Sequence, residues 1–231
     1  MHLRVQAVLK EFLSRFEGVR RSMYLDNRSL VTTGIGFMLP SLGEAGRLHW
    51  RHPAGRAAGP EELAAEWSRV TGRWPPVEGA SPLLITPGEV DRVFASQVRA
   101  RELILKAVFP AWESYPADAQ LGMLAHSWLA ASRGSIEGWQ GGDYVKAVRE
   151  RRWDDAGGLS LWGAIRDPAQ PRQAERRDGM LKMFHNATVV QGAIQRGAGV
   201  WMPADTLFYP DDAFAIQGIE LVPVMDGPAR S

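Results

Sequence analysis

The stretch EGVRRSMYLD at residues 17–26, followed by VTTGIGF at residues 31–37, decides the fold of this chain. Glu17 stands at the end of a segment whose apolar residues recur at helical spacing. Asp26 ends a short run that is typical of a strand, and the polar residues 27–29 are typical of a turn. The pattern therefore predicts a helix followed by a β-hairpin, with one acid at the end of the helix and one at the end of the first strand.

The helix before Glu17 is predicted from about residue 3 to residue 16. Its apolar residues fall on one face of a helix, which places them in the core; they are Val5, Val8, Leu9, Phe12, Leu13 and Phe16. Residues 23–26 are predicted as the first strand of the hairpin and residues 30–33 as the return strand. Gly34 and Gly36 then allow backbone angles, or a close approach, that a side chain would prevent. Because an isolated hairpin is only marginally stable, this one is expected to pack on a larger body.

The region 41–82 is rich in Pro and Gly, and we predict one short helix in it, at residues 60–70. Trp50 and Trp74 flank this helix. Indole faces suit a carbohydrate groove, but core positions in a subdomain are the favoured interpretation of both.

A long helix is predicted to begin at Thr86. Thr86 is a natural N-cap residue, Pro87 occupies the first helical position, and Glu89 completes a capping box. The apolar period continues to Pro110, which predicts a helix of about 22 residues, ~33 Å long. A helix of that length is able to connect two lobes.

The rest of the chain is predicted to be helical up to about residue 196. Three stripes of residues at helical spacing support this prediction; they contain Leu121, Leu124, Ala125, Trp128 and Leu129, then Tyr144, Val145 and Val148, then Arg177, Met180, Leu181 and Phe184. Residues 197–231 contain four prolines and are predicted to form an irregular tail packed on the body.

Composition narrows the classes of function. The chain has 231 residues, 45% of them hydrophobic, which is enough for one sizeable core. The absence of Cys excludes disulfides and thiolate chemistry. The net charge of +1 argues against nucleic-acid binding, and no apolar run reaches the ~20 residues that span a bilayer. Residues 1–6 do not form a secretory signal, so a protein that acts outside the cytoplasm would need a delivery machine.

The spaced set in the first stretch resembles the phage-type lysozyme family, close to its T-even phage members. That family has an acid-Gly pair, a Tyr-x-Asp strand and a Thr-x-Gly-x-Gly return strand, which match Glu17, Gly18, Tyr24, Asp26, Thr32, Gly34 and Gly36. Residues 85–94, 151–156 and 175–184 also resemble segments of the family. The likeness is weak over 38–82 and absent after about residue 197.

The resemblance implies an α+β, mainly α, lysozyme-like fold with two lobes. Residues 1–196 would form the catalytic domain. A β-hairpin lobe would occupy about 17–85, with an enlarged region at 41–82. The inter-lobe helix and a helical lobe would occupy about 86–196, together with the N-terminal helix, and 197–231 would be the tail.

The resemblance also implies hydrolysis of the β-1,4 bond between N-acetylmuramic acid and N-acetylglucosamine in peptidoglycan. Breaking a glycosidic bond needs a proton on the leaving oxygen, and two carboxyl groups roughly 6.5–9.5 Å apart leave room for an attacking water in an inverting reaction. Glu17 would be the general acid. Asp26 would stay ionised near backbone donors and, with Thr32, would position the water.

The expected substrate-binding residues are Tyr24, Gly36, Phe37 and Arg176. Arg176 matches a family Arg that pairs with the acid, although Arg177 is an alternative for that role. Phe37 replaces a His that is frequent in the family, and the turn at 27–29 lacks the usual Gly, which puts substrate orientation and rate in question.

No cofactor and no metal is expected. The five His residues, at 2, 49, 52, 126 and 185, do not show metal-ligand spacing. His126 lies in an apolar helical stripe, where a hydrogen-bonded core histidine is the favoured interpretation.

Two settings fit a bacteriolytic hydrolase without a signal sequence: a phage endolysin, or an antibacterial effector delivered into the periplasm of a target cell. An effector implies an immunity protein that occludes the cleft. The expected partner is otherwise the glycan strand of peptidoglycan, with no nucleic acid and no membrane insertion, and a monomer is expected. The open alternatives are a catalytically weak or inactive peptidoglycan-binding module, which Phe37 and the altered turn favour, and a chitinase-like glycosidase.

Overall fold

The computed structural model describes residues 1–26, 28–72, 82–130, 142–161, 163–166, 168–196 and 204–211. The protein is α+β and mainly helical, with 60% helix, 10% strand and small antiparallel sheets. The predicted fold class is confirmed at this level. Within the described ranges, no helix combines the length and the apolar composition needed to cross a membrane.

The helices in the described ranges are α1 (Leu3–Glu17), α2 (Leu42–Ala45), α3 (Pro60–Thr71), α4 (Pro87–Val108), α5 (Ala117–Ala130), α6 (Asp143–Arg149), α7 (Trp153–Leu159) and α8 (Pro171–Arg196). The strands are β1 (Arg20–Leu25), β2 (Val31–Gly34), β3 (Phe37–Met38), β4 (Trp50–Arg51) and β5 (Leu84–Ile85). The chain divides into two compact units. The sheet unit is Lys10–Ala100, and the helical unit is Met1–Leu9 with Arg101–Ser231, so the divisions fall inside α1 and α4.

The sheet unit contains an antiparallel sheet with the order β1-β2-β3. Tyr24 lies opposite Thr32 in the first strand pair, and Thr33 lies opposite Phe37 in the second. The predicted hairpin is therefore confirmed, whereas the third strand was not predicted. The first strand begins at Arg20, three residues earlier than expected, and ends at Leu25, so the second acid follows the strand instead of ending it.

The backbone angles in the two turns of this sheet explain the roles of Gly34, Gly36 and Ser29. Gly34 and Gly36 have φ angles of 61° and 67°, in the left-handed region that favours glycine, and this confirms their predicted conformational role. In the β1–β2 turn, Ser29 has φ 60°. Ser29 thus takes a conformation that a glycine would adopt without strain.

The helix α1 ends at Glu17 because Gly18 follows it. Gly18 has φ 75°, and its N–H donates to the carbonyl of Ser14 over 2.9 Å. A left-handed glycine just after the last helical residue is a common way to satisfy the free carbonyls at a helix end. The prediction of a helix up to residue 16 is confirmed to within one residue.

The region 41–72 contains more secondary structure than the single helix that was predicted. That helix is confirmed as α3, but the region also contains α2, and β4 pairs with β5. Trp50 is 4% exposed, and its indole Nε1–H donates to the carbonyl of Ala45 over 2.8 Å. The core interpretation is therefore confirmed for Trp50, whereas Trp74 lies outside the described residues. Trp67, on α3, is half-buried.

The start of α4 confirms the predicted N-cap. The Thr86 hydroxyl accepts a hydrogen bond from the N–H of Glu89 over 3.1 Å. The Glu89 carboxylate accepts from Arg92 over 2.7 Å and from the backbone N–H of His49 over 3.2 Å. These bonds from Arg92 and His49 lower the pKa of Glu89 to about 2. A buried carboxylate therefore joins the first turn of α4 to the segment that precedes β4.

The helical unit has its core around α5, α7 and α8. A Cβ added at Gly122 of α5 would lie 2.9 Å from the ring of Phe184, and one added at Gly157 of α7 would lie 3.0 Å from the Cβ of that residue. Close packing around Phe184 explains both glycines. The predicted stripe on α8 is wrong at Leu181, which is 37% exposed, because the buried face of α8 includes Arg176, at 8% exposed.

Residues 204–211 pack on the helical unit through the buried carboxylate of Asp118. The N–H groups of Phe208 and Tyr209 donate to it over 2.8 and 2.9 Å, and the side-chain amide of Asn186 donates over 3.0 Å. Burial raises the pKa of Asp118 despite these hydrogen bonds. The predicted tail is thus packed on the body in this part, and the rest of 197–231 lies outside the described residues.

Candidate active site

The last turn of α1 positions Glu17. Phe16 is 6% exposed, and its ring packs edge to face against that of Phe12 with the centroids 5.2 Å apart. The adjacent Glu17 is half-buried. The apolar face of α1 therefore fixes the helix end, and Gly18 turns the chain into β1 directly after the acid.

The charges of both predicted acids act on Tyr24. The pKa of its phenol is raised, first by burial; the positive charge of Arg20 lowers it, and the negative charges of Glu17 and Asp26 both raise it. Both carboxyl groups therefore lie within electrostatic range of one hydroxyl group. This brings together three residues that the sequence separates by up to nine positions.

The β1–β2 turn holds the carboxyl group of Asp26. Its Oδ1 accepts hydrogen bonds from the backbone N–H groups of Arg28 over 2.8 Å and of Leu30 over 2.9 Å. An aspartate that accepts from the following N–H groups is a common means of stabilising a turn. The side chain is half-buried, so it combines fixed backbone donors with access to solvent.

Thr32 lies on the same face of the sheet as Tyr24, because directly paired residues of neighbouring strands share a face. Its side chain is buried, with 4% of the residue exposed, and its hydroxyl donates to the carbonyl of Leu30 over 3.1 Å. The neighbouring Thr33 donates to the carbonyl of Arg20 over 3.3 Å. Thr32 is therefore beside Tyr24, and its hydroxyl is engaged in the turn.

Gly36 and Phe37 lie at the β2–β3 end of the same sheet. Gly36 closes the left-handed turn, and Phe37 begins β3 as a half-buried side chain. Arg176, by contrast, belongs to the helical unit, where it is buried in α8. Its pairing with Glu17, and the alternative role of Arg177, stay predictions.

Arg20 also lies beside Tyr24, although no motif in the sequence pointed to it. Its guanidinium Cζ lies 4.7 Å from the centroid of the Tyr24 ring. The register of the sheet explains this contact. Between the pairs Arg20↔Gly34 and Tyr24↔Thr32, β1 advances by four residues and β2 by only two.

This irregularity has a direct effect on spacing. Four residues of a regular strand span about 13 Å, whereas two span about 7 Å. The β-bulge therefore places Arg20 and Tyr24 at neighbouring positions of the ladder and on one face. A hydrophobic pattern does not reveal where a strand contains extra residues, so this neighbour was missed.

A surface cavity of about 350 Å³ lies elsewhere in the sheet unit. It is lined by Lys10, Glu11, Ser14, Val19, Arg21, Pro87, Val90 and Asp91. The predicted site residues are not part of its lining, so this cavity is not the predicted site.

The histidines were expected to have no role in metal binding. No group of three or more His, Asp or Glu within the described ranges has the arrangement of a metal site. His126 is 4% exposed, its Nδ1 accepts from the N–H of Leu161 over 3.1 Å, and its ring stacks on that of Tyr144 at 4.1 Å. The prediction of a hydrogen-bonded core histidine is confirmed.

Comparison with known proteins adds no relative to this description. No family model matches this chain. No curated protein matches it either. The likeness to phage-type lysozymes therefore depends on the spacing of the motif residues.

Proposed function

We propose that this protein is a peptidoglycan hydrolase, a muramidase that cleaves the β-1,4 bond between N-acetylmuramic acid and N-acetylglucosamine. The observation that carries the proposal is the placement of Glu17 at the end of α1 and of Asp26 in the β1–β2 turn, with Tyr24 on the strand between them. The charges of both acids act on the phenol of Tyr24. Two carboxyl groups in one small region, on rigid elements of different kinds, are the groups that glycoside hydrolysis requires. The lysozyme-like, two-lobed fold belongs to the same proposal.

The local geometry supports the roles proposed for the two acids. Glu17, half-buried at the end of an apolar-faced helix, acts as the general acid on the leaving oxygen. Asp26, fixed by two backbone N–H groups, acts on the attacking water together with Thr32. The sugars would contact Tyr24, Gly36 and Phe37, and Arg176 would pair with the acid.

The biological setting is part of the proposal. The hydrolase would act on the cell wall as a phage endolysin or as an antibacterial effector delivered to the periplasm, and it would work as a monomer without a cofactor. An effector would have an immunity protein that covers the site. A pull-down from the producing strain that recovers no inhibitor would count against the effector setting.

The reaction is tested by digesting purified sacculi and identifying the released fragments by mass spectrometry. We expect muropeptides with reducing ends, and a loss of at least ~100-fold in rate for Glu17→Gln, the scale of losing a general acid. We expect a comparable loss for Asp26→Asn. Because Asn keeps the oxygen that accepts from Arg28 and Leu30, this variant changes the ionisation while the turn retains its acceptor.

The matched control is Glu61→Gln, which removes an exposed acid from α3 in the same unit. It should keep the rate of the unmodified protein. Fragments with anhydro ends would indicate lytic transglycosylation, and cleaved peptides would indicate an amidase. A Glu17→Gln variant that releases muropeptides at the normal rate would contradict the assigned role of the acid.

A second candidate is a peptidoglycan-binding module with little or no activity. The burial of Thr32, and the bond from its hydroxyl to the carbonyl of Leu30, favour this candidate because a hydroxyl that donates its proton to a carbonyl can contact a water only as an acceptor. Unmodified protein that binds sacculi but releases no fragments would support it. Release of sugars from neutral N-acetylglucosamine polymers would instead support the chitinase-like alternative.

A further inference from the structure

One residue of the β1–β2 turn has a backbone conformation that its side chain disfavours. Ser29 has φ 60°, in the left-handed region that a residue with a Cβ adopts only at a cost in energy. A left-handed residue closes many short hairpin loops, and glycine is the usual one. The hydroxyl of Ser29 makes no hydrogen bond with any residue that the structure describes, so the side chain itself does not offset the strain.

The backbone on both sides of Ser29 holds the carboxyl group of Asp26. The N–H groups of Arg28 and Leu30 donate to Oδ1 over 2.8 and 2.9 Å. The N–H of Ser29 itself donates to the carbonyl of Asp26 over 3.0 Å. The backbone angles of Ser29 determine how the Leu30 N–H is directed relative to the preceding peptide. The two donors therefore reach one oxygen because Ser29 is left-handed.

The residue after Ser29 also holds Thr32. The carbonyl of Leu30 accepts from the Thr32 hydroxyl over 3.1 Å and from the backbone N–H of Asp26 over 2.9 Å. Leu30 therefore contacts both residues to which the proposed function assigns the attacking water. The turn conformation thus positions these two side chains together.

The turn engages only one of the two oxygens of the Asp26 carboxylate. Both N–H donors bind Oδ1, and no residue in the described ranges donates to Oδ2. Each oxygen of a carboxylate is able to accept hydrogen bonds. The half-buried Asp26 therefore presents Oδ2 as an acceptor whose direction is fixed through the bonds to Oδ1.

We propose that Ser29 is a positioning residue, whose left-handed backbone orients Oδ2 of Asp26 toward the attacking water. This inference rests on the proposed function of the site. In that reaction the water oxygen bonds to the anomeric carbon, and the water gives a proton to Oδ2. The bond from the anomeric carbon to the leaving oxygen breaks, and the leaving oxygen takes the proton of Glu17. Ser29 acts only through Asp26.

The test compares substitutions that differ in how well they tolerate a positive φ. Ser29→Gly and Ser29→Asn remove the hydroxyl but tolerate the left-handed region. Ser29→Thr keeps the hydroxyl and adds a branch at Cβ that disfavours this region. Ser29→Ala is intermediate, and it replaces the Thr variant if that variant does not fold. Ser96→Thr, at an exposed helical position of α4 in the same unit, is the matched control.

We expect the Gly and Asn variants to digest sacculi with the kcat of the unmodified protein. The Thr variant should lose at least ~10-fold in kcat, with KM changed by less than about 2-fold, because a displaced carboxylate orients the water poorly. All rates are measured on folded protein, well below the Tm of the least stable variant. In an Asp26→Asn background, Ser29→Thr should cause no further loss, because effects of residues that act as a unit do not add.

A turn that only stabilises the hairpin would lower the Tm of the Thr variant but leave its kcat unchanged. That result would overturn the inference while leaving hydrolysis intact. A loss in the Gly variant with full activity in the Thr variant would assign the effect to the hydroxyl, and would overturn it as well. So would an undiminished further loss in the Asp26→Asn background. If the unmodified protein releases no fragments from sacculi, the proposed function fails and the inference fails with it.

Discussion

The phenol of Tyr24 is where the charges of the candidate site act together. Burial raises its pKa, Arg20 lowers it, and Glu17 and Asp26 raise it. The hydroxyl therefore stays protonated at neutral pH and is able to donate a hydrogen bond within a region that contains two acids. At this scale, a single residue reports the proximity of side chains that come from a helix end, a strand and a turn.

Another single residue, His126, gives a prediction about stability and pH. Burial lowers the pKa of His126 to about 3, below its ordinary value of 6.5. The unfolded chain takes up a proton near pH 6.5, and the folded protein does not. The contribution of the neutral His126 to the free energy of unfolding is therefore complete above pH 6.5 and is lost as the pH falls toward 3.

Between pH 7.5 and pH 5, we expect this histidine to reduce the free energy of unfolding by about 2 kcal/mol. Chemical denaturation at several pH values measures the slope. His126→Asn, which keeps an acceptor for the Leu161 N–H, should be less stable overall but should lose that part of the slope. His185→Asn, at an exposed position on α8, is the control. An unchanged slope in His126→Asn would refute the assignment.

At the scale of elements, local signals in the sequence determine where α1 ends and where α4 begins. Gly18 ends α1 directly after the predicted acid, and Thr86 caps α4 through the N–H of Glu89. Both signals are local in sequence. Gly18 and Gly88 both have open space around the position of a Cβ, but only Gly18 has a positive φ. Replacing each of them with alanine therefore isolates the effect of backbone conformation on stability.

We expect Gly18→Ala to destabilise the protein by about 1 kcal/mol, because its φ of 75° strains any residue with a Cβ. Gly88→Ala, in the first turn of α4, should be neutral or stabilising by up to about 1 kcal/mol, because alanine favours helical backbone. Neither Cβ would meet another atom within 4 Å. Thermal unfolding of the two variants checks the contrast, and equal changes in both would show that backbone strain is not the cause.

At the scale of the whole chain, Asp118 joins segments that are far apart in sequence. Its carboxylate accepts from Phe208, Tyr209 and Asn186, and the N–H of the preceding Ala117 donates to the carbonyl of Ala204 over 2.8 Å. The helical unit therefore includes part of the predicted tail. The carboxylate of Asp118 makes three of the hydrogen bonds in this attachment, and it gives the prediction for this scale.

Asp118→Ala should lower the free energy of unfolding by about 3 kcal/mol, because it leaves buried donors without their acceptor. It should also make residues 204–211 more accessible to proteases, which limited proteolysis with mass spectrometry measures. Asp211→Ala is the matched control. It removes an acid from the same segment but keeps the backbone carbonyl that accepts from Asn186 over 3.0 Å, so its stability should change by less than about 0.5 kcal/mol. Equal protease sensitivity in the two variants would contradict the role of Asp118.

The sequence alone predicted the helices α1, α3 and α4, the first hairpin, the glycine turn and the N-cap at Thr86. These features depend on residues within about one turn or one strand pair, where periodicity and backbone preference act directly. It also predicted the set of residues for the candidate site, through the spacing of Glu17, Tyr24, Asp26 and Thr32. Their proposed chemistry stays a prediction.

Only the tertiary structure decided which side chains contact one another across distant segments. The β-bulge places the guanidinium of Arg20 over the ring of Tyr24. The backbone N–H of His49, just before β4, donates to the carboxylate of Glu89. The hydroxyl of the buried Thr32 donates to the carbonyl of Leu30. These outcomes depend on strand register and on burial, which are determined by the packing of the whole unit and not by any local pattern. A pattern of residue types therefore gave the elements and the candidate residues, and packing determined their neighbours.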